Sequence, residues 1–285
     1  MINYFLYRIV QGVALSLPLK TAYSLAVFIS TLYAAFAFRD RKAVTENLRV
    51  IFPEKPAREI AQIRSKLFHN FAKYLIDFFR FEKLDKEYIA KNIRLIGLHY
   101  YDECLAEGKG AIVVTAHLGN WELGGVVISM LGYPFLTVAL PHSSKDVNAL
   151  FNGQREGKGV KVLPLGKAAK GCLRGLKRNE LVALVGDRDF GGNGMTVDFF
   201  GKPTVFPMGP AVFSLKTKTK IIPGFMLRNK DDSFSLIISK PLDFTPSGEE
   251  EKDLKDIITS YKVIFEDYIR RYPEQWYMFR RFWKE

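Results

Sequence analysis

His117 and Glu122 stand five residues apart within the stretch AIVVTAHLGNWELGG, residues 111–125. An imidazole steadied by a carboxylate makes a general base for a hydroxyl: the acid fixes the tautomer at one ring nitrogen and raises the basicity of the other. On one continuous helix, five steps turn two side chains roughly 140° apart, and the pair cannot meet. The spacing works if His117 lies on a loop and Glu122 sits one turn inside the following helix. The same residues also fit a plain local role, in which Asn120 and Glu122 serve only the helix start.

The elements needed to position them follow from the pattern. Residues 111–116 form a short apolar run with β-branched members after the turn-like Gly108-Lys109-Gly110, which predicts a buried strand. Asn120 can cap a helix over 121–131, with Glu122 in its first turn, where the helix dipole favours an acid. His117 then lies at the C-terminal end of a central strand, where open α/β sheets place ligands. Further strands are predicted at 135–140, 160–163, 181–185, 221–227 and 235–238, with a helix over 167–177. Apolar residues at helical spacing predict helices over 41–52, stopped by Pro53, and over 57–81. The fold class is therefore α/β, a mostly parallel central sheet flanked by helices, preceded by an N-terminal hydrophobic helical segment.

The chain divides at residue 40, with hydrophobic membrane-contacting helices over 1–40 and an α/β body over 41–285. Residues 21–38 carry no charge and end at Arg39-Asp40-Arg41-Lys42. As a helix they span about 27 Å, the lower limit for a bilayer core. Pro18 separates them from an earlier apolar run. The pair suits the membrane interface, a short span, or two core helices. A similar choice arises at the C-terminus, where Trp276, Phe279, Phe282 and Trp283 interleave with Arg280, Arg281 and Lys284 as either an interfacial anchor or a core-packing segment.

A net charge of +12 calls for an acidic partner, either nucleic acid, anionic lipid or an acidic carrier protein. The aromatics concentrate in apolar runs rather than among exposed basic residues, which argues against nucleic acid. Two cysteines, Cys104 and Cys172, make no disulfide framework and suit a reducing compartment. His69 lies within a predicted helix and His99 pairs by spacing with Glu103, so His142 at a strand end is the one rival base. No metal-ligand spacing, nucleophile elbow or Walker loop is present, so no metal or resident cofactor is expected.

Three later clusters can build a site. Asp187, Arg188 and Asp189 follow a predicted strand and can hold one another, shape a polar pocket or bind sugar hydroxyls. Phe199, Phe200 and Phe206 offer an apolar wall, with Gly201 at a tight turn. Arg155 lies between a strand and a helix, and its planar fork suits a phosphate.

HLGNWE after a buried strand resembles the His-x4-Asp/Glu motif of the lysophospholipid acyltransferase superfamily, and more closely its branch of lipid A late acyltransferases and phosphatidylinositol mannoside acyltransferases. The Asn-Leu-x-x-x-Phe-Pro pattern from Asn47, the segment GDRDFGGNGMTVDFFGKPTVFPMGPA and the Pro-x-Gln-Trp at Pro273 extend the resemblance over nearly the whole chain. It implies transfer of a fatty acyl group from a thioester, coenzyme A or acyl carrier protein as co-substrate, to a hydroxyl of a membrane glycolipid or lysophospholipid. His117 would be the base and Glu122 would orient it, with backbone N–H groups near Gly119 and Asn120 facing the oxyanion. Asn120, Arg155, Asp187, Arg188, Asp189, Phe200 and Gly201 would contact substrate. The implied location is the cytoplasmic face of the inner membrane, peripheral or held by one N-terminal anchor. The alternative is a thioester hydrolase using the same pair on water.

Overall fold

The computed structural model describes residues 2–283, so Lys284 lies outside the described residues. Four helices come first: α1 Ile2–Ser16, α2 Leu19–Phe36, α3 Phe38–Ile51 and α4 Ala57–Phe79. The alternating part follows, with α5 Lys86–Asn92, β1 Ile93–Ile96, α6 His99–Ala106, β2 Ala111–Thr115, α7 Trp121–Met130, β3 Phe135–Ala139, α8 Lys145–Glu156, β4 Lys161–Pro164, α9 Ala168–Lys177 and β5 Leu181–Val185. It closes with β6 Met195–Phe199, β7 Lys202–Phe206, α10 Gly209–Thr217, β8 Ile221–Arg228, β9 Phe234–Ile238 and α11 Glu250–Arg271.

Seven strands form one sheet in the order β1-β9-β8-β2-β5-β3-β4, all pairs parallel except β8 with β9. The expected α/β class and mostly parallel sheet are present. β2 sits in the middle, and every residue of it but Thr115 is buried. One face packs Val113, Ala183 and Ile222 against Val126 and Val127 of α7, and the other packs Ile112, Val114 and Val182 against α9, α10 and α11. Burial on both faces explains why these strands read as continuous apolar runs. The short β1 and the separate β6–β7 hairpin were not expected.

Pro18 breaks the N-terminal apolar stretch into α1 and α2, as expected. Among the described residues α2 is the one helix long and apolar enough to cross a membrane, and only Ala22, Tyr23 and Ser30 of it are buried. That buried edge packs on α4: the Ser30 hydroxyl donates to the Phe68 carbonyl at 2.9 Å. Outward, α1 and α2 show Phe5, Ile9, Phe28, Ile29 and Phe36 to the surroundings. At the other end of the chain Trp276 is buried, and Trp283 Nε1 donates to Thr204 Oγ1 at 2.9 Å. The C-terminal aromatics therefore pack on the core.

A buried carboxylate ties the N-terminal helices to the central sheet. Asp77, near the end of α4, accepts hydrogen bonds from the Tyr23 hydroxyl of α2 and from Arg228 at the end of β8. It also accepts one from Asn120 Nδ2 at 2.8 Å. Burial pushes its carboxyl pKa up, against the pull of the Arg228 charge. Removing one partner of a buried pair strands the other, at a cost of about 3–5 kcal/mol. Asp77→Ala is expected to destabilise the protein by about 3 kcal/mol, read by urea unfolding, because it leaves the buried Arg228 with only its 3.3 Å contact to Asp232 as an ion pair.

Candidate active site

β2 and β5 are parallel neighbours in the register Thr115 to Val185. Two residues beyond each of those positions stand His117 and Asp187. Nδ1 of His117 donates to Asp187 Oδ1 at 2.6 Å, and the His117 backbone N–H donates to Oδ2 at 3.0 Å. Trp276 Nε1 adds a third bond to Oδ2, at 3.1 Å. Asp187 is wholly buried, which alone would raise its carboxyl pKa. The facing His117 ring and these hydrogen bonds outweigh burial and bring it down to about 2. With Nδ1 engaged, Nε2 is the free nitrogen of a ring whose side chain is 16% exposed.

Glu122 does not meet the imidazole, which corrects the expected pairing. Both its oxygens face α8, where Arg155 Nε and Nη2 each donate to it at 2.7 Å. A guanidinium offers the two parallel donors that a carboxylate prefers, and Arg155 is completed by a 3.0 Å bond to Asn152. The pair holds α7 to α8 and lines the cavity beside His117. His142, the rival base, lines the same cavity; burial lowers its pKa, and no carboxylate among the described residues holds it in an ion pair.

The turn that carries His117 is fixed through its backbone. Gly119 adopts φ +65°, and a Cβ there would stand 2.1 Å from the Met226 carbonyl oxygen. Its N–H donates to the Gln275 carbonyl at 2.9 Å, and the Asn120 N–H to the Met226 carbonyl at 2.7 Å. These two donors are therefore spent on the fold and do not form the expected oxyanion site. Asn120 caps α7 as expected, accepting from Leu123 N–H at 3.0 Å. Its amide is committed to Asp77 and the residue is buried, so its role is structural rather than substrate contact.

A cavity of about 780 Å³ opens at the strand ends, with His117, Glu122, Arg155, Arg188, Asp189 and Phe190 among its lining. Its apolar part runs between α7 and the sheet along Val113, Ile128, Phe135 and Ala183. Arg188 donates from Nη2 to the Tyr277 carbonyl at 2.9 Å, while its buried Nε has no partner among the described residues. Asp189 accepts from the Gly191 N–H at 2.9 Å. Phe200 and Gly201 are elsewhere: they turn the β6–β7 hairpin, both with positive φ. Phe199 and Phe206 are wholly buried against Trp276 and Tyr261, so the expected aromatic wall belongs to the core and not to the cavity.

A family model described as bacterial lipid A biosynthesis acyltransferase matches residues 1–285. The chain is 29% identical over 245 residues to a phosphatidylinositol mannoside acyltransferase of Mycobacterium tuberculosis, covering 84% of this chain and 75% of that one. It is 23% identical over 241 residues to a lipid A biosynthesis acyltransferase of Haemophilus influenzae, covering 84% and 74%. With a lipid A biosynthesis palmitoleoyltransferase of Escherichia coli K12 it shares 24% identity over 270 residues, 93% and 86% of the two chains.

Two stability measurements check the geometry. Glu122→Ala should cost about 3 kcal/mol by leaving Arg155 unpaired, and adding Arg155→Met should recover most of it. The Asp187 carboxyl titrates lower in the folded protein than unfolded, so its contribution is present above pH 3.8 and lost as pH falls towards about 2. The difference in unfolding free energy between wild type and Asp187→Asn is expected to shrink by about 2 kcal/mol across that window.

Proposed function

Because the chain belongs to the bacterial lipid A biosynthesis acyltransferase family, we propose that it moves a fatty acyl group from a coenzyme A or carrier-protein thioester to a hydroxyl of a membrane glycolipid or lysophospholipid. The observation that carries this reading is Nε2 of His117, left free by Asp187, on the wall of a largely apolar cavity. The acceptor hydroxyl gives its proton to Nε2 as its oxygen bonds to the thioester carbonyl carbon. The carbon–sulfur bond then breaks, and the sulfur takes the proton back from the imidazolium. Ester and free thiol are the products, and no acyl-enzyme forms.

His117 is the catalytic residue and Asp187 its positioning residue, holding the Nδ1–H tautomer and balancing the charge that the ring acquires. Arg188 Nε–H, buried beside the site without a partner among the described residues, is the donor we assign to the oxyanion. The acyl chain takes the apolar space between α7 and the sheet. The exposed apolar faces of α1 and α2 suit insertion at the cytoplasmic face of a membrane, and the net charge of +12 suits anionic lipid.

Purified protein incubated with labelled acyl thioester, on either carrier, with and without lipid acceptor, tests the reading. Label is expected in lipid, whereas acceptor-independent release of free acid with none in lipid would mean hydrolysis. His117→Ala and Asp187→Asn should each lower kcat by roughly 10²–10⁴-fold.

A further inference from the structure

Beside the catalytic cavity lies a second hollow, of about 360 Å³, lined by Arg39, Lys42, Arg280 and Arg281 with Asp40 and Phe279. Its cations are unevenly neutralised. Arg281 donates to Glu46 at 2.9 Å, and Asp40 accepts the Tyr33 hydroxyl at 2.6 Å. Arg39, Lys42 and Arg280 have no carboxylate within ion-pair distance among the described residues. Like charges gathered in one concavity repel unless an anion enters, and the concavity focuses their field.

The place of the hollow narrows the kind of anion. Arg39, Asp40 and Lys42 occupy the first turns of α3, immediately after the apolar helix α2 ends. Phe36 and Phe38, the residues flanking that junction, are 79% and 66% exposed. An apolar surface that ends in a basic concavity matches the depth at which bilayer phosphates lie, when the apolar part is in the acyl region. A water-soluble acidic protein needs no such apolar margin.

The hollow also adjoins the cavity that holds His117. Arg280, one of its walls, lays its guanidinium over the Phe190 ring at 5.6 Å, and Phe190 lines the catalytic cavity. The Arg188 guanidinium is lowered in pKa chiefly by burial, partly offset by Asp187, and further by the charge of Arg280, so the two cations share one field. We propose that Arg39, Lys42 and Arg280 hold the phosphate of a bilayer lipid headgroup and present that lipid to the catalytic cavity across Phe190. The proposal rests on the lipid acceptor put forward above, and it assigns to that acceptor an anionic headgroup. Tethered there by its phosphate, the lipid sends its hydroxyl-bearing part past Arg280 towards Nε2 of His117.

Sedimentation of the full chain with phosphatidylcholine vesicles, with and without phosphatidylglycerol, tests this. Arg39→Gln/Lys42→Gln/Arg280→Gln is compared with Lys177→Gln/Lys252→Gln/Lys255→Gln, which removes the same charge from exposed positions outside the hollow. Each neutralised cation near an anionic surface weakens binding several-fold, so the first variant should lose roughly tenfold or more of its affinity for phosphatidylglycerol vesicles and the second under about twofold. Binding to neutral vesicles should be unchanged in both. An equal loss in the two variants would reduce the effect to diffuse attraction and overturn the proposal. So would unaltered vesicle binding together with lost binding to an acidic carrier protein. Should the triple variant melt below the wild type, the single variants Arg39→Gln and Arg280→Gln carry the comparison. The readout is binding, so failure of acyl transfer and failure of the phosphate site appear in separate experiments.

Discussion

Asp187 is an ionised carboxylate with no solvent exposure, and burying such a charge costs several kcal/mol unless donors replace the water it loses. Three donors do so: the His117 ring, the His117 backbone N–H and the Trp276 indole. Each comes from a segment that must itself be in place, β2 and its turn on one side and the C-terminal segment on the other. The carboxylate can be satisfied only when the sheet has paired β2 with β5 in the observed register. The requirement works in reverse as well. With Asp187 satisfied, the ring has one orientation, one tautomer and one free nitrogen.

Asp77 plays the matching part on the other side of the same turn. It takes the Asn120 amide, the Tyr23 hydroxyl and the Arg228 guanidinium, which reach it from α7, α2 and β8. Between the two carboxylates, Gly119 and Asn120 give their N–H groups to Gln275 and Met226. The turn is thus held by side chains at both ends and by backbone in the middle. Such over-determination keeps a reacting group in position without reorganisation during the reaction. The apolar N-terminal helices are joined to this frame through Tyr23, so their exposed apolar faces and the candidate site share one buried network.

Much of this frame was legible in the residues. The apolar run of β2, the Asn120 cap and the strand at 181–185 follow from local rules that tertiary contacts did not override. What local rules could not supply was strand order. Glu122 is near His117 in sequence and Asp187 is seventy residues away, yet β5 is the neighbour of β2 and delivers the acid. Only the family resemblance brings Arg155 to the site, and its partner on α7 depends on how α8 packs. The β6–β7 hairpin did carry a period-two pattern, with Val197, Phe199, Thr204 and Phe206 inward. Gly201 marked its turn as expected, but Phe200, a bulky residue, shares the positive φ usually reserved for glycine and read instead as part of an apolar wall. The aromatic run therefore read as a cavity wall when it is a core ridge.

Nitrogen-15 NMR of the His117 imidazole at neutral pH tests the central claim most directly, because it reports which ring nitrogen holds the proton. The account predicts a proton on Nδ1, hydrogen-bonded to Asp187, with Nε2 bare and facing the cavity; Asp187→Asn should disturb that signal and Glu122→Gln should not. A neutral ring protonated at Nε2, or one whose tautomer follows Glu122 rather than Asp187, would contradict it.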